Sequence, residues 1–190
     1  MNPYKYSIIY MDPPWSYNEK VHLKGNVHSS AEHHYPTMGI KDLKKMNIGA
    51  IAARDCIILM WVTGPQMDVA IDLINHWNFE FNDVVFCWDK ILINPGSYTL
   101  TSFEFVLAAK NQFGKIPTPR GRYNIKQGFI EPRGKHSAKP QQIACYIEEM
   151  FPHSTKIELF ARRKRNGWTC WGNELHKEDH YEPIKKLLFG

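Results

Sequence analysis

The stretch YSIIYMDPPWSYN, residues 6 to 18, sets a β-prone apolar run directly against a carboxylate, two prolines and an indole. A short, continuous apolar run that stops at prolines suits a strand covered on both faces. Pro13 and Pro14 fix their own φ and carry no backbone N–H, so Asp12 and the carbonyls after it have little freedom. A rigid carboxylate beside outward carbonyls is an acceptor-only site, and its natural partner is a group with two N–H donors, such as an exocyclic amine. Trp15 adds a face on which a planar base can stack. Asp12, Pro13, Pro14 and Trp15 therefore describe a holder for adenine or cytosine by its amino group. The plainer alternative is a proline-stiffened turn with Asp12 bonded to its own backbone and Trp15 in the core.

Outward from this hinge, strand and helix signals alternate. Residues 39–53 (GIKDLKKMNIGAIAA) show helical spacing, with Leu43, Met46 and Ile51 on one face. Residues 56–62 (CIILMWV) read as a buried strand, and Thr63-Gly64-Pro65 opens a helix to about Trp77, with Pro65 in its first turn. Residues 79–88 and 103–110 are further strands, separated by a turn-rich loop, DKILINPGSYT. Residues 111–137 are irregular and basic. A helix over 139–151, a strand over 156–161, a short strand at 168–171 and a charged helix within 174–190 complete the reading. This alternation predicts an α/β fold with a doubly wound, mostly parallel sheet, in one domain over residues 1–190. Ligands of such sheets bind beyond the carboxyl ends of the strands. Asp12 to Trp15 and Glu158 to Arg162 both fall at such ends and face one crevice.

Composition narrows the class. With 190 residues, 43% of them hydrophobic and 23% charged, the chain has the make-up of a soluble globular domain. No apolar run reaches the length of a membrane helix, and the prolines come too early in the chain for a signal peptide. Cys56, Cys87, Cys145 and Cys170 sit in apolar runs with no CxxC pair, which reads as reduced thiols of a cytoplasmic protein. The net charge of +5 leans toward a polyanionic partner.

The hinge also carries a resemblance. Asp12-Pro13-Pro14-Trp15 after a hydrophobic strand resembles the catalytic motif of the MT-A70-like family of adenine-N6 methyltransferases. Three further stretches are similar to that family in its own order: AEHHYPTM (31–38), HSAKPQQIACYIEEMFP (136–152) and KIELFARRKRNGWTCWGNE (156–174). The small size resembles bacterial and bacteriophage members. The resemblance implies a Rossmann-like methyltransferase fold with permuted motif order, the catalytic motif ahead of the cofactor motif. It implies S-adenosyl-L-methionine as methyl donor, no metal, and a cytoplasmic setting in a bacterial or phage-infected cell.

Carried over to this chain, the resemblance makes Asp12 an acceptor for the target amine, joined by the Pro13 carbonyl, and places Asp12 near the methionine part of the donor. Trp15 would stack on or border the base, and Lys139 would pair with the donor carboxylate. Glu158, Leu159 and Phe160 would line the cofactor cleft, and Arg162, Asn173 and Glu174 would serve the ribose and its surroundings. The reaction implied is methylation of adenine N6 in DNA. RNA adenosine methylation, cytosine-N4 methylation and a non-catalytic nucleic-acid-binding subunit remain alternatives, as do a homodimer and a partner subunit.

The basic segment 115–135 interleaves Lys115, Arg120, Arg122, Lys126, Arg133 and Lys135 with Tyr123 and Phe129. Such a pattern suits phosphate contact with stacking on extruded bases. Tyr17, His34 and Tyr35, in the loop after the hinge, join Arg120, Arg122, Lys126, Arg133 and Lys135 as candidate nucleic-acid contacts. His22, His28, His33 and His34 fit no standard zinc spacing, so no metal is assigned to them.

Overall fold

The computed structural model describes residues 4–16, 37–96, 98–122, 124–134, 138–175 and 182–190. Seven strands form one sheet: β1 (Tyr6–Met11), β2 (Ala52–Thr63), β3 (Phe79–Pro95), β4 (Leu100–Asn111), β5 (Gly128–Ile130), β6 (Lys156–Leu159) and β7 (Thr169–Trp171). Their order across the sheet is β5-β3-β4-β2-β1-β6-β7. The pairs β1–β2, β1–β6, β6–β7 and β3–β5 are parallel, whereas β4 runs antiparallel to both β2 and β3. The sheet is therefore mixed, with β4 alone reversed among the described strands. Tight return from β3 explains this, because a hairpin turn reverses direction where a helical crossover would not.

Strand β1 shows how the two faces are built. Ile9 and Met11 point into one apolar cluster, shared with Leu43, Leu73, Ile74, Ile184 and Leu188. Ile8 and Tyr10 point into the other, shared with Trp61, Trp88, Ile143 and Ile147. The first cluster is covered by helices α1 (Ile40–Lys44), α2 (Met67–His76) and α4 (Glu182–Phe189), and the second by α3 (Gln141–Met150). Each fully buried Leu or Ile stabilises the fold by about 1.5–3 kcal/mol. Helices on both faces explain why β1 runs buried without alternation from Ile8 to Met11.

Three sequence expectations shift. The helix expected over 39–53 is only α1 and a 3₁₀ turn at Ile48–Ala50, and β2 begins at Ala52. Asn47 stops the helix by capping that turn, its side chain accepting from the Ala50 N–H at 3.1 Å. The loop expected at 89–99 is mostly strand: β3 continues to Pro95, with Asn94 opposite Thr101 and Pro95 opposite Leu100. The β-prone run Ile91-Leu92-Ile93 drives this extension, and an irregularity between Asp89 and Asn94 absorbs Ile91 at φ 65°. Within the irregular 111–137 segment, Gly128–Ile130 adds β5 to the edge of β3. Among the described residues, no helix is long and apolar enough to cross a membrane.

Candidate active site

Met11 lies opposite Leu159 in the parallel pair β1–β6, so Asp12 and Phe160 leave the sheet side by side at its carboxyl rim. The hinge after Met11 is locked by its own backbone. The Trp15 N–H donates to the Pro13 carbonyl at 2.8 Å, and the Met38 N–H donates to the Pro14 carbonyl at 2.8 Å. One lone pair of the Pro13 oxygen is left for another donor. Trp15 turns inward: it is 8% exposed and its indole N–H donates to the Trp61 carbonyl at 3.3 Å. Its edge borders a cleft of about 370 Å³, shared with Ser16, Met38 and Gln66.

Asp12 is the end of a chain of four charges. Lys139, just ahead of α3, brings its Nζ to 2.8 Å from Asp12 Oδ1 and 3.3 Å from Glu104 Oε2. The other oxygen of Glu104, Oε1, takes Lys90 Nζ at 3.0 Å. Lys90 and Glu104 are both buried. Trp61 forms the floor, its ring centroid 5.6 Å from Lys139 Nζ and its N–H donating to Tyr10 Oη at 2.6 Å. Burial alone would drive Lys139 toward neutrality, but the Asp12 and Glu104 carboxylates outweigh it and hold the ammonium charged. Glu104 is likewise pushed up by burial, yet Lys139 and Lys90 bring it below the usual glutamate range. Tyr10, fully enclosed, is raised by burial and stays a neutral phenol.

Across β6 a second pair lies on the same face. Glu158 Oε2 accepts from Arg165 Nε at 3.0 Å, and the guanidinium stands 5.4 Å from the Trp168 ring centroid. Burial raises the Glu158 carboxyl, with Arg165 pulling against it. Phe160 adopts φ 60°, a left-handed conformation uncommon for a bulky residue. Gly172 makes that turn feasible: a Cβ there would lie 2.2 Å from the Ala161 carbonyl oxygen. Arg162 and Glu174, from the ends of β6 and β7, pair at 3.2 Å. Asn173 lies in the turn between Gly172 and Glu174.

Asp12, Lys139, Glu158, Leu159, Phe160, Arg162, Asn173 and Glu174 thus share one rim. The expected nucleic-acid contacts scatter. Arg120 and Arg122 bond through their backbones to Met150 and Glu149 at the far end of α3, opposite the rim, where Arg122 pairs with Glu149 at 3.0 Å. Lys126 precedes β5 along the edge of the sheet, and Arg133 follows it near the rim. Tyr17, His34, Tyr35, Lys135 and Tyr123, with His22, His28 and His33, lie outside the described residues.

Sequence reading missed Lys90 and Glu104 at the site, and Arg165, one of the basic run Arg162-Arg163-Lys164-Arg165 that suggests nucleic-acid contact, turns inward to Glu158 instead. Glu104 was detectable, because alternation puts it on the same face as Val106 and Ala108, where a charge has no business unless it is paired. Thr63, opposite Glu104 on β2, also escaped notice; its hydroxyl is buried without a hydrogen-bond partner among the described residues.

Comparison with known proteins is consistent across the chain. The MT-A70 family model matches residues 6–174. The chain is 46% identical over 184 residues to Type II methyltransferase M.MunI of Mycoplasma sp, covering 90% of this chain and 78% of that protein. It is 28% identical to mouse N(6)-adenine-specific methyltransferase METTL4, covering 97% of this chain and 41% of that one. Identity to the human N(6)-adenosine-methyltransferase catalytic subunit METTL3 is 25%, over 90% of this chain and 28% of that subunit.

Proposed function

Because the chain belongs to the MT-A70 family, whose model matches residues 6–174, we propose that it is an adenine-N6 methyltransferase that uses S-adenosyl-L-methionine and acts on DNA. The observation that carries this reading is a carboxylate, Asp12, fixed on a proline hinge at the strand rim and held at 2.8 Å by Lys139. The relatives named for N6 chemistry support adenine as the base. The identity of 46% to a Type II methyltransferase favours DNA over RNA. The order along the chain, with hinge strand β1 ahead of β6, fits the permuted arrangement.

The rim suits a sulfonium amino acid nucleoside. Lys139 keeps a third N–H for a carboxylate, the buried Thr63 hydroxyl lacks a partner among the described residues, and Arg162 and Glu174 offer polar groups for ribose hydroxyls. The donor supplies an activated methyl group, so the chain's own task is positioning and charge support. Adenine's amino lone pair is delocalised into the ring. Asp12 and the Pro13 carbonyl, accepting from the two amine hydrogens, favour a pyramidal nitrogen with a localised lone pair. The Asp12 carboxylate also steadies positive charge developing on that nitrogen. A target within a duplex must be flipped out to reach the rim. Arg133, with Lys126, Lys135, Tyr17, His34 and Tyr35, is the proposed nucleic-acid contact set.

The test is transfer of a labelled methyl group to DNA and RNA, with the modified nucleoside identified. N6-methyladenine in DNA, lost in Asp12→Ala, is the expected result. Modification of RNA alone, or of cytosine, overturns the substrate assignment, and absence of donor binding overturns the activity.

A further inference from the structure

We infer that Glu104, held by Lys90, is a positioning residue for the proposed transfer: it shares Lys139 with Asp12 and so keeps an Asp12 oxygen open to the target amine. The inference rests on the methyltransferase reading and extends it to two residues that the hinge motif does not contain. An ammonium has three N–H donors and no acceptor. In Lys139 one donor goes to Asp12 Oδ1 at 2.8 Å and a second to Glu104 Oε2 at 3.3 Å. Lys90 occupies the other Glu104 oxygen at 3.0 Å, which turns Oε2 toward Lys139. Both Glu104 oxygens and two Lys139 donors are thus assigned, and Asp12 satisfies only one N–H of Lys139, through Oδ1.

Stability alone does not account for the arrangement. Replacing a buried ion network by apolar residues of similar volume is often neutral or stabilising. Glu104 stands between Phe103 and Phe105, and Val106, Ala108 and Ala109 follow in the same strand, so an apolar residue would suit β4. The network reaches the rim instead of closing within the core. The two lysines and two carboxylates balance; without the Glu104 charge, Lys139 has Asp12 as its sole carboxylate and a neighbouring Lys90 left uncompensated. Lys139 then turns more of its donors onto Asp12 and competes with the amine for the carboxylate oxygens.

Glu104→Gln tests this, because it keeps the side-chain shape and removes the charge. The groups around Lys139 are Asp12 at the end of β1, Glu104 on β4, Lys90 on β3 behind it and the Trp61 ring on β2. On the β6 side, burial and Asp12 raise the Glu158 carboxyl, and Glu158 and Arg165 both act on Tyr10. Side-chain NMR of the Lys139 ammonium, assigned with Lys139→Met, is expected to show deprotonation at lower pH in Glu104→Gln than in the wild type. Donor affinity stays within about threefold while the single-turnover rate falls about 10–100-fold. Glu104→Asp restores part of the rate, and Lys90→Met shifts it in the same direction as Glu104→Gln. An unchanged Lys139 titration overturns the inference, as does a rate loss matched by an equal loss of donor affinity. A wild-type chain that binds donor yet methylates no nucleic acid breaks the underlying reading instead, and the Lys139 titration still decides whether Glu104 shares that charge.

Discussion

Opposite ends of the same sheet carry charged residues in contrasting ways. At the carboxyl rim, Lys139 and Glu104 have side chains 17% and 11% exposed, and they meet partners from three other elements. At the far end, Arg122 and Glu149 pair at a similar distance with side chains 52% and 40% exposed. An exposed pair is screened by water and contributes about 0–1 kcal/mol. A buried one persists only where every charge is matched, and removing one member is costly. Density of Lys and Arg along the chain singled out the segment that holds Arg120 and Arg122. The charges at the site come one at a time from distant strands, which composition does not register.

Mutations at the two ends sharpen this contrast. Asp12→Ala is expected to lower methyl transfer by about 10³-fold or more, read as the single-turnover rate on saturating DNA. Loss of less than tenfold would remove the hinge from the chemistry. Lys90→Met strips the innermost cation from Glu104 and is expected to destabilise the fold by about 3 kcal/mol in denaturant titration. Gly172→Ala forces a Cβ against the Ala161 backbone at 2.2 Å. The strain, about 1–3 kcal/mol, falls where Phe160 turns, so donor binding weakens together with stability.

Acid provides a gentler probe. Lys139 and Lys90 hold Glu104 below its ordinary pKa of 4.5 in the folded state, against the pull of burial. Its contribution to stability is complete above that ordinary value and is lost as pH falls through the lower folded value. Glu104→Gln should therefore show a shallower loss of stability below about pH 4.5 than the wild type. Glu158, raised by burial, works in the opposite sense and should be kept constant in that comparison. Arg122→Ala is expected to do least, changing stability by under about 0.5 kcal/mol and transfer by less than about twofold. A large effect there would mean that the far end takes part in binding.

The apolar runs of β1 and β2 and the short β7 were legible because local pattern and burial agree, while the Gly64-Pro65 step opens a 3₁₀ turn, Gly64–Gln66, and α2 follows from Met67. The tip of the β3–β4 hairpin was not legible. Asn94, Pro95 and Gly96 read as a turn from Asp89 onward, whereas cross-strand pairing carries the strand to Pro95. The end of the helix at Lys44 depends on an Asn47 side-chain bond that apolar spacing does not encode.

For the site, the amino-acid sequence by itself determined the stiff carboxylate: two prolines constrain Asp12 through covalent geometry, whatever surrounds it. It also determined which residue stands at the end of β1, since the apolar run stops there, whereas the strand expected over 156–161 ends at Leu159, where Phe160 turns to φ 60°. Only the tertiary structure decided what Asp12 faces. Lys139 is 127 residues away in the chain and Glu104 is 92 residues away. They meet because β4 turns back beside β2 while α3 returns across the same face. A charge partnership of that kind is set by the order of strands in the sheet, and strand order is a property of the packed whole.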